Sequence, residues 1–334
     1  TSIIASDKLN TNTYYFFIKH MFFIFLGIFI LITFSAIDQN KLFNISQYLF
    51  LISFIFLALV PFIGVEVKGS MRWIDLPIIP RFQPIEILKP FLIIMIATFF
   101  TLNNQKHLYL KYLFSFLLIL PIVLFLISQP DLGQTILIVL TWFSLIFVSG
   151  INLLFFITFF ALTFSILIYL IIYVPKFEYI KNRLISFIDP NTGNNYQSER
   201  ASEAISNGGF FGQGIGEGTL NSKVPEAHTD YIISVISEEF GVIIVLAIII
   251  IFLVLFYNIL KKVNYENDDK VKLILVGTAS IILFQTFIHI GVNIRLLPTT
   301  GMTLPFLSYG GSSIISTSIL SGIILNLTRR KAKK

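Results

Sequence analysis

The chain has no cysteine among its 334 residues, which excludes disulfides, thiolate metal sites and cysteine nucleophiles together. Charge is also scarce. Asp, Glu, Lys and Arg make up 13% of the residues, against roughly 25% in soluble domains. That leaves too little polar surface for a cytosolic enzyme, a disordered tail or a stapled secreted domain. The sequence contains no HExxH, no second metal-type histidine pair and no Ser/His/Asp grouping. What it has instead is 55% hydrophobic residues and a mean hydropathy of +0.84. Runs of Phe, Ile and Leu recur at the length of about 20 residues that crosses a bilayer. The fold class predicted is all-α, a polytopic membrane helical bundle.

The apolar runs give nine spans, at about 20–37, 47–65, 84–102, 110–128, 132–149, 151–174, 238–260, 272–293 and 308–327. Pro61 and Pro121 fall inside spans, where neighbouring helices can re-satisfy the freed backbone groups. No fixed-period repeat is evident, and residues 1–334 are expected to form one membrane domain. The net charge of +6 is carried largely by segments flanking the spans, which favours orientation and lipid headgroups over nucleic acid. Five of the last six residues are basic, and residues 261–272 carry Lys261, Lys262, Lys270 and Lys272. Short segments of this kind stay cytoplasmic, and the span count puts both on one side. Nine spans leave the two termini on opposite sides. A further span upstream, ten in all with both ends inside, is therefore expected. The same count places 66–83, 129–131, 294–307 and the long polar loop 175–237 outside.

That long loop holds the glycine run Gly208-Gly209-Phe210-Phe211-Gly212-Gln213-Gly214-Ile215-Gly216-Glu217-Gly218. Glycines at 212, 214, 216 and 218 permit turns with φ > 0 or close backbone approach to a ligand. The run lacks the ending of a P-loop and the strand–helix setting of a dinucleotide site, so a tightly turned loop competes with a phosphate cradle. Pro225-Glu226-Ala227-His228-Thr229-Asp230-Tyr231 follows. Pro225 suits the first turn of a helix, which would set His228 and Asp230 near its start. Asp230 could serve as a general base for a sugar hydroxyl or as a metal ligand, or simply meet a helix dipole. Glu238 and Glu239 are expected to begin a span and face headgroups.

Glu86 and Lys89, three apart, share a helical face. They could clamp a diphosphate, or form an interfacial pair of little energetic value. Arg72, Trp73 and Arg81 precede them, with Trp73 an ordinary interfacial anchor and the cations able to meet an anionic headgroup. Asp131 is placed to cap the following helix. His289 is expected to be a satisfied hydrogen-bonder, and the small residues of Pro305–Ser313 point to close helix packing.

Taken in order, Gln83-Pro84-Ile85-Glu86-Ile87-Leu88-Lys89, Gln129-Pro130-Asp131-Leu132-Gly133, Pro225-Glu226-Ala227-His228-Thr229-Asp230 and Pro305-Phe306-Leu307-Ser308-Tyr309-Gly310-Gly311-Ser312-Ser313 resemble the motifs of the SEDS family (shape, elongation, division and sporulation). The resemblance covers essentially the whole chain. Gly214–Thr219 with a short spacer to Pro225, and Lys68-Gly69-Ser70-Met71-Arg72-Trp73-Ile74, resemble the division type more than the elongation type. The resemblance implies a peptidoglycan glycosyltransferase that joins lipid II into β-1,4-linked glycan at the outer face of the cytoplasmic membrane during septal synthesis. Asp230 matches the family's essential acid and would deprotonate the acceptor hydroxyl. Glu86 and Lys89 match sensitive positions that contact diphosphate or shape the cavity, and Arg72 and His228 are further candidates for substrate contact. Mg²⁺ or Mn²⁺ near Asp230, and no organic cofactor, are implied. The implied partners are a class B penicillin-binding transpeptidase and other divisome proteins. Arg295 departs from the family pattern, which favours glycine before Leu-Leu-Pro. A lipid II flippase, an elongation-type polymerase and a structural recruiter of the transpeptidase are the rival readings.

Overall fold

A computed structural model of the chain describes residues 14–67, 69–77, 80–101, 108–189 and 196–329. Lys68, the polar start at 1–13 and the basic residues Arg330, Lys331, Lys333 and Lys334 lie outside the described residues. The elements are α1 (Tyr15–Ala36), α2 (Gln39–Ile63), β1 (Val65–Val67), β2 (Ser70–Trp73), α3 (Pro84–Thr101), α4 (Leu108–Ser128), α5 (Leu132–Val148), α6 (Leu153–Tyr173), α7 (Glu178–Ile188), α8 (Tyr196–Gly208), α9 (Ile232–Asn264), α10 (Asp269–Asn293) and α11 (Gly311–Thr328). Eight of these helices are long and apolar enough to cross a membrane, and the apolar α5 is slightly shorter. Each of the nine spans read from the sequence coincides with one of them. The chain is a helical, multi-pass membrane protein.

Helix boundaries follow local chemistry. Asp38 caps α2 by accepting from the Asn40 amide at 3.0 Å. Asp131 caps α5 by accepting from the Gln134 amide at 3.3 Å, as its position predicted. Pro84 occupies the first position of α3, where a missing amide costs nothing. Pro61, Pro90 and Pro121 lie inside helices. The loop 175–237 is not a plain polar connection, because α7 and α8 lie within it. Helix α8 buries Ser198, Ala201, Ala204 and Gly208, a spacing that places small residues on one face.

The chain folds as two compact units. One comprises residues 23–153, 256–282 and 311–334. Its centre is α3, which buries Ile85, Leu88, Phe91 and Ile94 along with Glu86 and Lys89. Helix α11 approaches α1 closely because Gly27 and Gly322 carry no side chain: a Cβ on Gly27 would meet Ser318 Oγ at 2.7 Å. Asn326 Nδ2 then donates to the carbonyls of Phe34, Ser35 and Ile37, tying off the end of α1. Of the small residues in Pro305–Ser313 expected to pack closely, Gly311 does so: a Cβ there would meet the Phe23 ring at 2.5 Å.

The other unit comprises residues 1–22, 154–255 and 283–310. Helix α6 within it buries no residue, as suits a helix facing lipid. Helix α9 is interrupted at Gly241, whose φ of 82° and ψ of 170° are non-helical. A Cβ there would collide with the Phe210 carbonyl. The break lets the glycine run lie against α9: the Val242 amide donates to Gly209 O at 3.0 Å, and those of Gln213 and Gly214 donate to Glu238 O and Glu239 O at 2.8 and 3.1 Å. Gly209, Gly212, Gly214 and Gly216 all have positive φ. The run is a tightly turned loop packed on a helix.

Candidate active site

Two polar constellations stand out, one in each unit. In the unit centred on α3, the Lys89 ammonium is 2.9 Å from Glu86 Oε1. Gln134 Nε2 donates to the same oxygen at 2.6 Å. Lys89 is 0% and Glu86 3% exposed, so the pair is not a wetted, snorkelling one. It lies inside the protein, and Glu86 Oε2 and Gln134 Oε1 are buried without a hydrogen-bond partner. Beside the pair, Gln83 Nε2 donates to Asp131 Oδ2 at 2.7 Å, and the Gln83 amide donates to Ser312 Oγ at 3.0 Å. Arg72 reaches into this cluster from β2. It donates to Gln129 O at 3.1 Å and to Pro130 O, and its Nη1 is 3.6 Å from Asp131 Oδ1. The guanidinium thus clasps the α4–α5 turn. Burial pushes the Asp131 carboxyl above the ordinary range, with Arg72 and the Gln134 amide pulling the other way. Gln129-Pro130-Asp131 and Gln83–Lys89, far apart in sequence, form one network.

In the other unit, Pro225 does not open a helix. Residues 225–231 form consecutive turns and α9 begins at Ile232. The reason is local: Glu226 takes a left-handed φ of 51°, and its carbonyl accepts from the amides of Thr229, Asp230 and Tyr231 at 3.0, 3.1 and 3.2 Å. The turn is then fixed through its main chain. His228 O accepts from the Tyr309 amide at 2.8 Å, Thr229 O from Ser308 Oγ at 2.6 Å, and Asp230 O from Asn293 Nδ2 at 3.0 Å. Three consecutive carbonyls are held by the 305–310 loop and the end of α10, so the half-buried Asp230 has a defined position independent of its carboxylate. The His228 ring lies among Phe16 and Tyr309, with centroids 6.0 and 5.9 Å away. Burial and the adjoining Asp230 charge push the Tyr231 hydroxyl upward, opposed by Arg183.

Ser308 lies in the Pro305–Ser313 segment, read from the sequence for packing, and nothing in the local sequence marks Asn293 as site-forming. Ser308 also accepts from the Leu304 amide at 2.8 Å, so Ser308→Ala strands two buried backbone groups at once, each costing about 1–3 kcal/mol. A lowered thermal midpoint in detergent is the expected result. An unchanged midpoint would show that the carbonyl pins are dispensable. His289, expected to be a satisfied histidine, is satisfied on one side: Nδ1 is 2.7 Å from Met302 O, while Nε2 is buried without a hydrogen-bond partner among the described residues.

Glu238 and Glu239 do not face headgroups. Glu238 is 0% exposed, and its Oε1 accepts from Leu220 N at 2.8 Å and Asn207 Nδ2 at 2.9 Å. Glu239 accepts from Asn221 Nδ2 at 3.1 Å. The two carboxylates fasten the loop to α9, a need set by the turn of the loop that the span pattern does not reveal. No group of three or more His, Asp or Glu able to hold a metal ion occurs among the described residues. A dedicated protein cage for Mg²⁺ or Mn²⁺ is therefore not formed among them; Mg²⁺ commonly takes one or two carboxylates and shares the rest with substrate phosphates.

Comparison with known proteins extends this geometry. A family model described as "Cell cycle protein", covering FtsW, RodA and SpoVE, matches residues 1–333. The chain is 32% identical to a probable peptidoglycan glycosyltransferase FtsW of Aliivibrio salmonicida, over 98% of this chain and 83% of that one. It is 30% identical to the same-named protein of Caulobacter vibrioides, over 99% and 84%. A solved structure described as the structural coordination of polymerization and crosslinking by a peptidoglycan synthase complex matches with a TM-score of 0.78 and 26% identity, over 98% of this chain and 94% of that one.

Proposed function

Because the chain belongs to the FtsW/RodA/SpoVE family of cell-cycle proteins, we infer that it is a membrane peptidoglycan glycosyltransferase that polymerises lipid II during division. The names of its relatives supply the activity. The pinned position of Asp230 supports it as the residue that carries that activity. A base for glycosyl transfer must hold one oxygen within hydrogen-bond reach of a sugar hydroxyl, and three main-chain contacts fix the turn that bears it.

In the reaction, Asp230 takes the proton from the acceptor GlcNAc 4-hydroxyl. The freed oxygen forms a bond to the donor MurNAc anomeric carbon while the bond to undecaprenyl diphosphate breaks, its electron pair leaving with the phosphate. An α-linked donor attacked in one displacement gives the β-1,4 link. Glu86 and Lys89, a buried ion pair on α3, are assigned to the organisation of their own unit rather than to contact with the Asp230 turn. Arg72 serves by holding the Gln129–Asp131 turn in place, and His228 by flanking Asp230. Asp230 is the residue that would share a divalent ion with substrate phosphates, and such an ion would neutralise developing diphosphate charge. The crosslinking function named for the matched complex supports a penicillin-binding transpeptidase as partner; the septum of the cytoplasmic membrane is the location proposed. The buried Glu86–Lys89 pair favours one alternative, a lipid II flippase, since ionisable residues within spans often mark transport paths. Purified chain with its transpeptidase and labelled lipid II decides between them: glycan ladders establish the polymerase, whereas lipid II translocation without ladders establishes the flippase.

A further inference from the structure

Arg295 has a left-handed φ of 58°, a conformation that is uncommon for side-chain-bearing residues. Such strain persists where surroundings impose it and is a pointer to function when observed. Among the described residues its guanidinium makes no hydrogen bond or ion pair, although it is half-buried. It forms one wall of a cavity of about 340 Å³ that Arg183, Tyr196, Ser198, Pro225 and Thr299 also line. Arg183 is steadied there, its Nη1 donating to Thr299 O at 3.3 Å. Pro225 brings the beginning of the Asp230 turn to the same cavity.

A guanidinium at the wall of a polar cavity, with a second guanidinium on the same wall, suits an anionic ligand with several acceptor oxygens. Arginine's planar fork matches phosphoryl oxygens in pairs. We propose that this cavity is a diphosphate site, in which Arg183 and Arg295 hold the diphosphate of a polyprenyl-linked sugar next to the Asp230 turn. The assignment of that diphosphate to a substrate rests on the polymerase reading. The presence of an anion site does not.

Arg295→Gly is the informative variant, because glycine removes the guanidinium and relieves the left-handed strain together. The full chain is placed in phosphatidylcholine nanodiscs and titrated calorimetrically with inorganic pyrophosphate. Wild type is expected to bind, Arg295→Gly to bind about tenfold or more weakly, the loss of one charge-assisted contact, and Arg295→Lys to fall between them. Thermal midpoints control for folding. With lipid II as substrate, Arg295→Gly should raise KM about tenfold while kcat changes much less. Equal pyrophosphate affinity in wild type and Arg295→Gly overturns the site. That result is expected if Arg295 instead turns to Glu199 and Glu203, which wall a second hollow beside it. Displacement of pyrophosphate by phosphatidylglycerol but not by undecaprenyl diphosphate overturns the substrate assignment and leaves a headgroup site. Arg295-dependent binding in a wild type that makes no glycan keeps the anion site and overturns the polymerase reading.

Discussion

Asp230→Asn is expected to leave the chain folded and to slow lipid II polymerisation by about 10²–10⁴-fold, the range a general base contributes. The expectation of an intact fold comes from how the turn is held. Its pins are the carbonyls of His228, Thr229 and Asp230 itself, accepting from Tyr309, Ser308 and Asn293. A side-chain amide of the same shape alters none of these bonds. It does remove the proton acceptor. Asp230→Glu is the sharper companion: it keeps the carboxylate and shifts its oxygens by one methylene. A fixed backbone cannot follow, and a misplacement of this order is worth about 10²-fold. Both variants would be compared by glycan ladders from labelled lipid II at matched expression and thermal midpoint. If Asp230→Asn still makes ladders at near wild-type rate, Asp230 is not the base. If Asp230→Glu alone retains full rate, the acid matters but its fixed position does not.

How far the sequence carries the structure differs between spans and contacts. The length and composition of an apolar run are local properties, and they place α1 to α6 and α9 to α11. Asp131 as a cap is legible for the same reason, since the cap and the amide it accepts from are three residues apart. Contacts between distant segments are not. Nothing in the run around residue 134 marks Gln134 as a donor to Glu86, a bond across 48 positions. Ser308 and Thr229 meet across 79. Pro225 misleads because a residue suited to open a helix is also suited to open a turn, and Glu226 selects the latter by taking a left-handed φ. Glu238 misleads because an acid at the start of an apolar run commonly faces water. Here the loop doubles back over it and supplies two donors. Arg295, by contrast, stands where the resemblance leads one to expect glycine, and its backbone is left-handed, a conformation glycine adopts readily.

The Glu86–Lys89 pair should produce the largest stability effects. Lys89→Met leaves a carboxylate buried at 3% exposure, with Gln134 Nε2 still donating to it. Removing one partner of a buried ion pair costs about 3–5 kcal/mol, because the remaining charge keeps its desolvation penalty without its attraction. Glu86→Gln takes the opposite charge from the ammonium and should also destabilise the fold. The double variant Glu86→Gln/Lys89→Met leaves no charge to strand, and neutral replacement of a buried pair is often harmless to the fold. Its stability should therefore return most of the way to wild type, giving a strong coupling between the two sites. Denaturant unfolding in detergent micelles, followed by tryptophan fluorescence, measures all four corners of that cycle. Single variants within about 1 kcal/mol of wild type would show that the pair is not an organising element, since that is the scale of an exposed pair. Activity of the double variant then separates structure from chemistry. If polymerisation returns with the fold, the pair only holds α3 and α5 together. If a stable double variant remains inactive, the charges are needed for the chemistry and not only for the fold.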